Sequence, residues 1–482
     1  MTSGSTGIRG VPTLPPNSIG PVDDAFLAAR QKLEADGAGL AAVAAFVRFH
    51  HQLAEGQRGL IGENSIEPIS ELPDAEDLPA VENHEALGRT VVIKLNGGLG
   101  TGMGMTKAKS LIEAKEGLSF LDIVARQVLA LREATGAQLP LVLMNSFATR
   151  ADTLEALSAY PGLATNGVRL DFLQNRVPKL HAGSLLPVEW AADPELEWAP
   201  PGHGDLYTAL VTSGTLEELR AEGFRYAFVS NADNLGAVLD ERILNWFASK
   251  EIPFLMEVAD RTAADRKGGH LARRPEGGLV LREVAQTADA DLDAFQDVDR
   301  HKYFNTNSLW VDLDALAKAL DVGAGVLDLP MIVNHKTVDP TDPTSPEVIQ
   351  LESAMGAAIA LFEGAAALRV PRSRFAPVKT TGDLLAVRSD AYVLTSDSRV
   401  VLDPRREGRP PVVDLDAAHY KLLADFEDHF PAGPPSLINC ESLKVEGDVL
   451  FGHGVVVEGV MTVDSGGVGK AAVSDGTTLK GK

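Results

Sequence analysis

Cysteine is almost absent from this chain: Cys440 is the only one in 482 residues. A disulfide scaffold and a cysteine-rich metal site are thereby excluded, and Cys440 itself reads as a small packing residue. Positive charge is also scarce. Lysine and arginine total 44 against 67 aspartates and glutamates, a net charge of −23. That balance argues against nucleic acid or an anionic membrane as a partner. No apolar run reaches the length of a membrane span. The first residues, MTSGSTGIRGVPTLPPNS, have neither a basic start nor an apolar signal core. The expectation is a soluble, cytoplasmic protein. Apolar residues make up 45% of the chain, enough to bury a large core. The length is too great for one compact core and implies two or three domains.

Residues 1–20 are rich in Gly, Ser, Thr and Pro and read as a mobile segment. Apolar residues at helical spacing over 23–55 (Phe26, Leu33, Leu40, Val43, Phe46, Val47) predict one or two amphipathic helices. An acidic, proline-containing connector covers Glu67–Glu85. Short apolar runs then alternate with helical stretches. The runs are Val91–Ile93, Leu141–Met144, Tyr226–Val229, Phe254–Met256 and Leu309–Val311; the helical stretches include Phe120–Ala134, Thr153–Ala159 and Gly214–Ala221. Such alternation predicts an α/β fold with a largely parallel sheet and ligands at the C-terminal strand ends. From Leu443 to Val463 the pattern changes to apolar/polar alternation, with glycines at 447, 452, 454 and 459. Short strands with recurrent turns predict a small β-helix or sheet module.

The densest chemical signal is Lys94–Ser110, KLNGGLGTGMGMTKAKS, directly after the first strand. Gly97, Gly98, Gly100, Gly102 and Gly104 let backbone N–H groups approach a polyanion, and Lys109 adds a mobile cation. A nucleotide polyphosphate fits this combination; by itself, so does a flexible surface loop. The loop is not a Walker A motif, because Lys107 follows Thr106, and no position gives G-x-G-x-x-G.

Three further segments stand out. In PPGHGD (Pro200–Asp205) two prolines stiffen a turn, and two glycines let the backbone close on a flat ligand beside His203. A tight turn with an exposed histidine has the same letters. Asp233, in NADNLG at the end of a strand, is suited to Mg²⁺ shared with phosphates, or equally to local turn hydrogen bonds. Arg372, Arg374 and Lys379 reverse the prevailing sign of charge within eight residues.

These segments resemble, in order from about Val91 to Phe451, the eukaryotic-type UTP–glucose-1-phosphate uridylyltransferases (UDP-glucose pyrophosphorylases). The resemblance is carried by Leu95–Gly104 with Lys109-Ser110, by Gln174 in LQNRVP and by PPGHGD. It continues in SNADNLG, in FNTNSLW (Phe304–Trp310), in VIQLE (Val348–Glu352) with Gly356, and in VPRSRFAPVK ending at Lys379. The chain departs from the family pattern in three places. Thr106 stands where a first lysine is usual, Ser308 replaces an asparagine, and Asp464–Lys482 is short and rich in Gly, Ser and Ala.

The resemblance implies a Rossmann-like (GT-A-like) α/β fold with a mixed, largely parallel sheet and a C-terminal left-handed β-helix module. The implied division is an N-terminal helical region and linker over 1–88, a catalytic domain over 89–385 and the β-helix module over 386–482. The implied substrates are UTP and glucose 1-phosphate, with Mg²⁺ as cofactor and no nucleic acid or membrane partner. A homo-oligomer through the C-terminal module is a further expectation. Lys109 and Lys379 are the implied catalytic residues, and Asp233 the metal ligand. Leu95, Asn96, Gly97, Gly98, Gln174, Gly202, His203, Asn231, Ala232 and Asp233 are expected at the nucleotide and sugar phosphate. Glu257, Gly269, Asn307 and Glu352 are expected at the sugar. Gln174 suits uracil because an amide pairs with both its donor and its acceptors. No His/Asp or Ser/His constellation is present, in keeping with a nucleophile that is already an anion. An enzyme acting on N-acetylhexosamine 1-phosphate and a catalytically silent nucleotide-sugar sensor are the alternatives.

Overall fold

The computed structural model describes residues 21–481 apart from Glu82, Asn166 and Val468. The stretch 1–20, expected to be mobile, lies outside the described residues. The described residues open with two helices, α1 (Pro21–Ala35) and α2 (Leu40–Ala54). Leu33, Phe46, Phe49 and Leu53 bury the apolar stripe read from the sequence, packing on Val177, Leu180, Ile349 and Leu351. The acidic connector is not featureless: Glu67–Pro68 adds a short edge strand.

The central sheet follows. Its strands are β1 (Thr90–Asn96), β2 (Leu141–Asn145), β3 (Asp171–Leu173), β4 (Tyr226–Asn231), β5 (Phe254–Asp260), β6 (His270–Arg273), β7 (Leu279–Arg282), β8 (Tyr303–Asp312) and β9 (Ala366–Arg369). Strands β4, β1, β2 and β3 lie side by side and parallel. Strand β8 runs antiparallel to β4 and β5, and β9 runs parallel to β5. The sheet is therefore mixed, with a parallel half and a half organised around the long strand β8. The sequence marked β8 only at Leu309–Val311. The strand extends back to Tyr303 across a register shift opposite Glu257/Val258, and Asn307 sits at that shift with φ 58°. An irregularity of this kind re-aims side chains next to a site.

Both faces of the sheet are buried, which is why its strands read as continuous apolar runs. Val91, Ile93, Val142 and Met144 pack on Leu206 and Leu210. Val92, Leu141, Leu143 and Phe228 pack on Leu121, Val124 and Phe247 of the opposite layer. The helix Phe120–Thr135 begins with a Ser119–Asp122 capping box and ends at Gly136 in the left-handed region. Helices at Arg150–Leu157 and Thr215–Ala221 lie within three residues of their expected bounds.

The C-terminal region holds a short antiparallel pair (Tyr392–Leu394 with Val400–Leu402), two short helices (Ala417–Tyr420 and Leu423–His429) and a stack of parallel strands. Val412–Leu415 pairs with Ser436–Glu446, which pairs with Val456–Asp464, which pairs with Thr478–Lys480. Ser436 meets Val456, and Val456 meets Thr478, so successive turns of this coil advance by 20 and 22 residues. Two strands, Ala471–Val473 and Thr478–Lys480, occur in the final Gly/Ser/Ala-rich stretch, which therefore continues the coil. Leu443, Val445 and Phe451 share a core with Met103, Ile112 and Phe120, so the coil seats on the glycine-rich segment.

Candidate active site

Register explains why distant motifs converge. Asn231 pairs with Leu95, Asn96 with Asn145, and Asn145 with Leu173. The C-terminal ends of four parallel strands are thus level, and the segments beginning at Gly97, Ser146, Gln174 and Ala232 leave the sheet along one edge. Asn96 is itself buried and stitches this edge, donating to Asn145 Oδ1 (2.8 Å) and Thr153 Oγ1 (2.9 Å).

The glycine-rich segment folds back on itself. The Lys109 N–H donates to the Gly98 carbonyl (3.1 Å), and Leu99 forms a bridge with Ala108. The turn returns Lys109 to the strand edge, where its Nζ donates to Asp233 Oδ2 at 2.6 Å. A Cβ at Gly97 would lie 2.4 Å from Gln174 Oε1 and would push that amide aside. The two residues expected to hold the nucleotide from different motifs are therefore in direct apposition.

PPGHGD is clamped to the segment after VIQLE. Gly204 N–H donates to the Ser353 carbonyl (2.8 Å), and Ser353 N–H to the Pro201 carbonyl (3.0 Å). Gly202 has φ +76°, and a Cβ would sit 2.5 Å from the Ser353 carbonyl oxygen. The Met355 N–H donates to His203 Nδ1 at 3.0 Å. That bond puts the ring proton on Nε2, leaving Nε2–H as a donor. Burial pushes the His203 pKa down to about 4, so the ring is neutral near pH 7. Asp205 anchors the neighbouring segment by accepting from Asn175 N (2.6 Å) and Nδ2 (2.8 Å). Burial pushes its carboxyl up to about 7, against the opposing effect of those two bonds.

Asp233 follows β4 in a turn fastened on both sides. Ala232 N–H donates to the Leu95 carbonyl (3.0 Å), and Val378 N–H to the Asp233 carbonyl (3.3 Å). Asn234 Oδ1 accepts from Ala376 N (2.9 Å), and its Nδ2 donates to the Arg374 carbonyl (3.2 Å). The basic segment is thereby laid along the aspartate turn, with Lys379 one residue beyond a pinned position. The Lys379 ammonium stands 5.8 Å from the Phe375 ring centre. It also offsets part of the upward pKa shift that burial gives Glu283.

Eleven of the sixteen expected residues line one cleft of about 290 Å³: Leu95, Asn96, Gly97, Gly98, Lys109, Gln174, Gly202, His203, Asn231, Ala232 and Asp233. The other five, Lys379, Glu257, Gly269, Asn307 and Glu352, are outside its lining. Gly269 and Asn307 belong to a neighbouring group. The Asn305 N–H donates to the Gly269 carbonyl (3.0 Å), its Nδ2 donates to Asn307 Oδ1 (2.8 Å), and a Cβ on Gly269 would meet the Glu283 carboxylate at 2.4 Å. Glu352 adjoins Gly202; burial raises its pKa, with Asn334 and Lys336 opposing. Glu257 is fully buried, and both its oxygens are engaged: Oε1 by Trp310 Nε1 (2.9 Å) and Arg374 Nη2 (2.7 Å), Oε2 by Arg374 Nε (2.7 Å).

Two charged residues close to Glu257 had no role in the sequence reading. Arg374 stood out as part of a basic cluster, without a partner. Lys94 is a lysine inside the apolar strand run VVIKLN, and that oddity was its signal. It is 3% exposed and donates to Ser230 Oγ and the Ala237 carbonyl, both at 2.7 Å. Burial and the nearby Arg374 charge push its pKa down to about 7, against Glu257 and Asp233.

Mg²⁺ takes hard oxygen ligands and is commonly held by one or two carboxylates together with substrate phosphates. Asp233 fits as one such carboxylate, since it borders the cleft and its Oδ1 makes no hydrogen bond among the described residues. No group of three or more His, Cys, Asp or Glu suited to a metal occurs among the described residues. The donor set therefore matches a metal that arrives shared with a polyphosphate.

Comparison with known proteins agrees along most of the chain. The family described as UTP–glucose-1-phosphate uridylyltransferase matches residues 43–458. The UTP–glucose-1-phosphate uridylyltransferase of Solanum tuberosum is 41% identical over 420 residues, covering 86% of this chain and 85% of its own. That of Saccharomyces cerevisiae is 40% identical over 401 residues, 83% of this chain and 78% of its own. Among solved structures, a mutant of the Leishmania major UDP-glucose pyrophosphorylase in complex with UDP-glucose superposes with a TM-score of 0.91 at 45% identity, over 97% of this chain and 99% of that one. A protein of Trypanosoma brucei described as UDP-glucose phosphorylase gives 0.89 at 45% identity, over 95% and 99%.

Proposed function

The chain belongs to the UTP–glucose-1-phosphate uridylyltransferase family, and on that premise we propose that it catalyses UTP + α-D-glucose 1-phosphate ⇌ UDP-glucose + pyrophosphate. The observation that carries this reading is the cleft, where the glycine loop, Gln174, PPGHGD and the Asp233 turn meet.

The sugar phosphate oxygen attacks the α-phosphorus of UTP, and pyrophosphate leaves in line. The attacking oxygen is already an anion, so no general base is required. The barrier lies in bringing anions together and in the charge that grows on the leaving group. Backbone N–H groups at Gly97 and Gly98 receive the phosphates, and Gln174 reads uracil through its amide. His203, neutral and with Nε2–H free to donate, offers a hydrogen bond near the sugar phosphate without adding charge. Lys109 and Lys379 neutralise the reacting phosphates. Asp233 would hold Mg²⁺, which supplies charge neutralisation and polarises phosphate oxygens. Asn307, Gly269 and Glu352 are assigned to the sugar; Glu257 was assigned with them, and its contacts to Arg374 suit a second role, taken up below.

We read the C-terminal coil as a left-handed β-helix and as the surface for a homo-oligomer, and the division at residues 88 and 385 as domain boundaries. No described helix is long and apolar enough to cross a membrane, in keeping with a cytoplasmic enzyme.

The test is pyrophosphate release from UTP and Mg²⁺ with glucose, galactose and N-acetylglucosamine 1-phosphates in parallel. Fast release with glucose 1-phosphate is expected. No release with any sugar, from folded protein that binds UTP, would overturn the reading. Asp233→Asn should raise the Mg²⁺ needed for half-maximal rate; an unchanged metal titration would remove Asp233 from the site.

A further inference from the structure

We infer that the buried Glu257–Arg374 pair is a positioning element that holds the Lys379 segment against the Asp233 turn. The inference rests on the functional reading above, in which Lys379 acts on the reacting phosphates.

Three observations carry it. The pair is bidentate and buried, with both Glu257 oxygens bonded to the Arg374 guanidinium at 2.7 Å. Such fork-to-fork bonding fixes orientation as well as distance. The carboxylate is itself held by Trp310 Nε1, and the Glu257 carbonyl accepts from Thr306 Oγ1 (2.8 Å), so the anchor belongs to the sheet and not to a loop.

The segment beyond Arg374 is then pinned at alternate residues to the Asp233 turn. The Arg374 carbonyl and the Ala376 N–H bond to the Asn234 side chain, and the Val378 N–H bonds to the Asp233 carbonyl. Phe375, between these points, packs edge-on against Phe304 at 4.6 Å between ring centres.

Contact between the two backbones is close. A Cβ on Gly236 would lie 2.4 Å from the Ser373 carbonyl oxygen. A free five-residue tether would let Lys379 wander over roughly 16 Å from Arg374. The pinned segment brings it one residue from the Val378 bond, and its own backbone N–H donates to Asp383 Oδ2 at 2.9 Å. A carboxylate expected at the sugar therefore acts here on the lysine, through Arg374.

A purely structural pair would affect stability alone, and the experiment separates the two roles. Replacing both partners by apolar residues often restores stability lost when one is removed. The variant is therefore Glu257→Leu combined with Arg374→Met, assayed for pyrophosphate release in the wild-type and Lys379→Ala backgrounds. Should it melt far below wild type, Arg374→Lys replaces it. In the wild-type background kcat is expected to fall about 10²-fold, the scale of a misplacement of about 1 Å, with KM for UTP nearly unchanged. In the Lys379→Ala background the same change should cost less than about threefold, because the group being positioned is already gone. Near-wild-type turnover, or equal losses in the two backgrounds, would overturn the inference while leaving the functional reading in place. A wild-type protein that releases no pyrophosphate would overturn both.

Discussion

Two ion pairs in this molecule have nearly the same length and opposite situations. Lys109 and Asp233 meet at 2.6 Å on the wall of the cleft, with side chains 19% and 23% exposed. Arg374 and Glu257 meet at 2.7 Å outside its lining, 11% and 0% exposed. In a partly hydrated setting the first pair contributes about 0–1 kcal/mol, so on the proposed function it would give way to phosphates and a metal at little cost. Neither partner of the second can be removed without leaving an unpaired buried charge, which costs about 3–5 kcal/mol. Length does not distinguish a reactive pair from a scaffold pair; solvent access does. On the proposed function the cleft pair would change partners, and the buried pair would keep them.

The sharpest test of this contrast is turnover against stability. Lys109→Ala or Lys379→Ala should lower turnover by about 10²–10³, as does loss of an oxyanion donor. For Lys109 the same change should cost at most about 1 kcal/mol in urea denaturation. Near-full turnover in a folded variant would remove that lysine from the chemistry. Next comes Glu257→Leu alone, expected to destabilise by about 3–5 kcal/mol. A loss below about 1 kcal/mol would mean that the buried pair is hydrated and the comparison fails.

A smaller effect is expected at the junction of two motifs. Gly97→Ala should displace the Gln174 amide, whose oxygen lies where the new methyl would go. Losing one hydrogen bond to the base raises KM for UTP by up to about tenfold, with the melting temperature little changed. An unchanged KM would show that Gln174 does not read uracil.

The mildest test is pH. The Lys94 pKa is about 7 in the fold against 10.5 as the reference for the unfolded chain. Between those values the unfolded chain binds the extra proton, so stability rises with pH; below pH 7 the full penalty of the buried charge is present. The stability of wild type relative to Lys94→Met should therefore improve from pH 7 to pH 9.5. A flat difference would mean that Lys94 keeps its proton.

The site was legible in unequal parts. The placement of Gly97, Gly202 and Asp233 in one cleft could be read because each lies on a turn or strand end that its own motif builds. Eleven expected residues share the cleft for that reason: each motif directly follows a parallel strand or closes over that edge. Of the remaining five, Glu257, Gly269 and Asn307 sit around β8, where antiparallel pairing and a register shift decide direction, while Glu352 lies in a separate three-stranded sheet and Lys379 follows the segment bonded to the Asp233 turn. A run such as FNTNSLW reveals an extended segment. It does not reveal that Asn307 takes a left-handed conformation there.

By itself the sequence determined the alternation of strands and helices, the glycine-rich turn after the first strand of the sheet, the two helices before it and the short C-terminal strands. These follow from local chemistry: apolar period, missing Cβ atoms and charge near strand ends. Only the tertiary structure decided which charges meet. Lys109 and Asp233 are 124 residues apart, and Arg374 and Glu257 are 117 apart. Sequence cannot say which of the two carboxylates meets water and which is buried within the sheet, yet that difference in solvation separates the two pairs. The partners are chosen by strand order and register, and the strength of their attraction by the water that packing excludes.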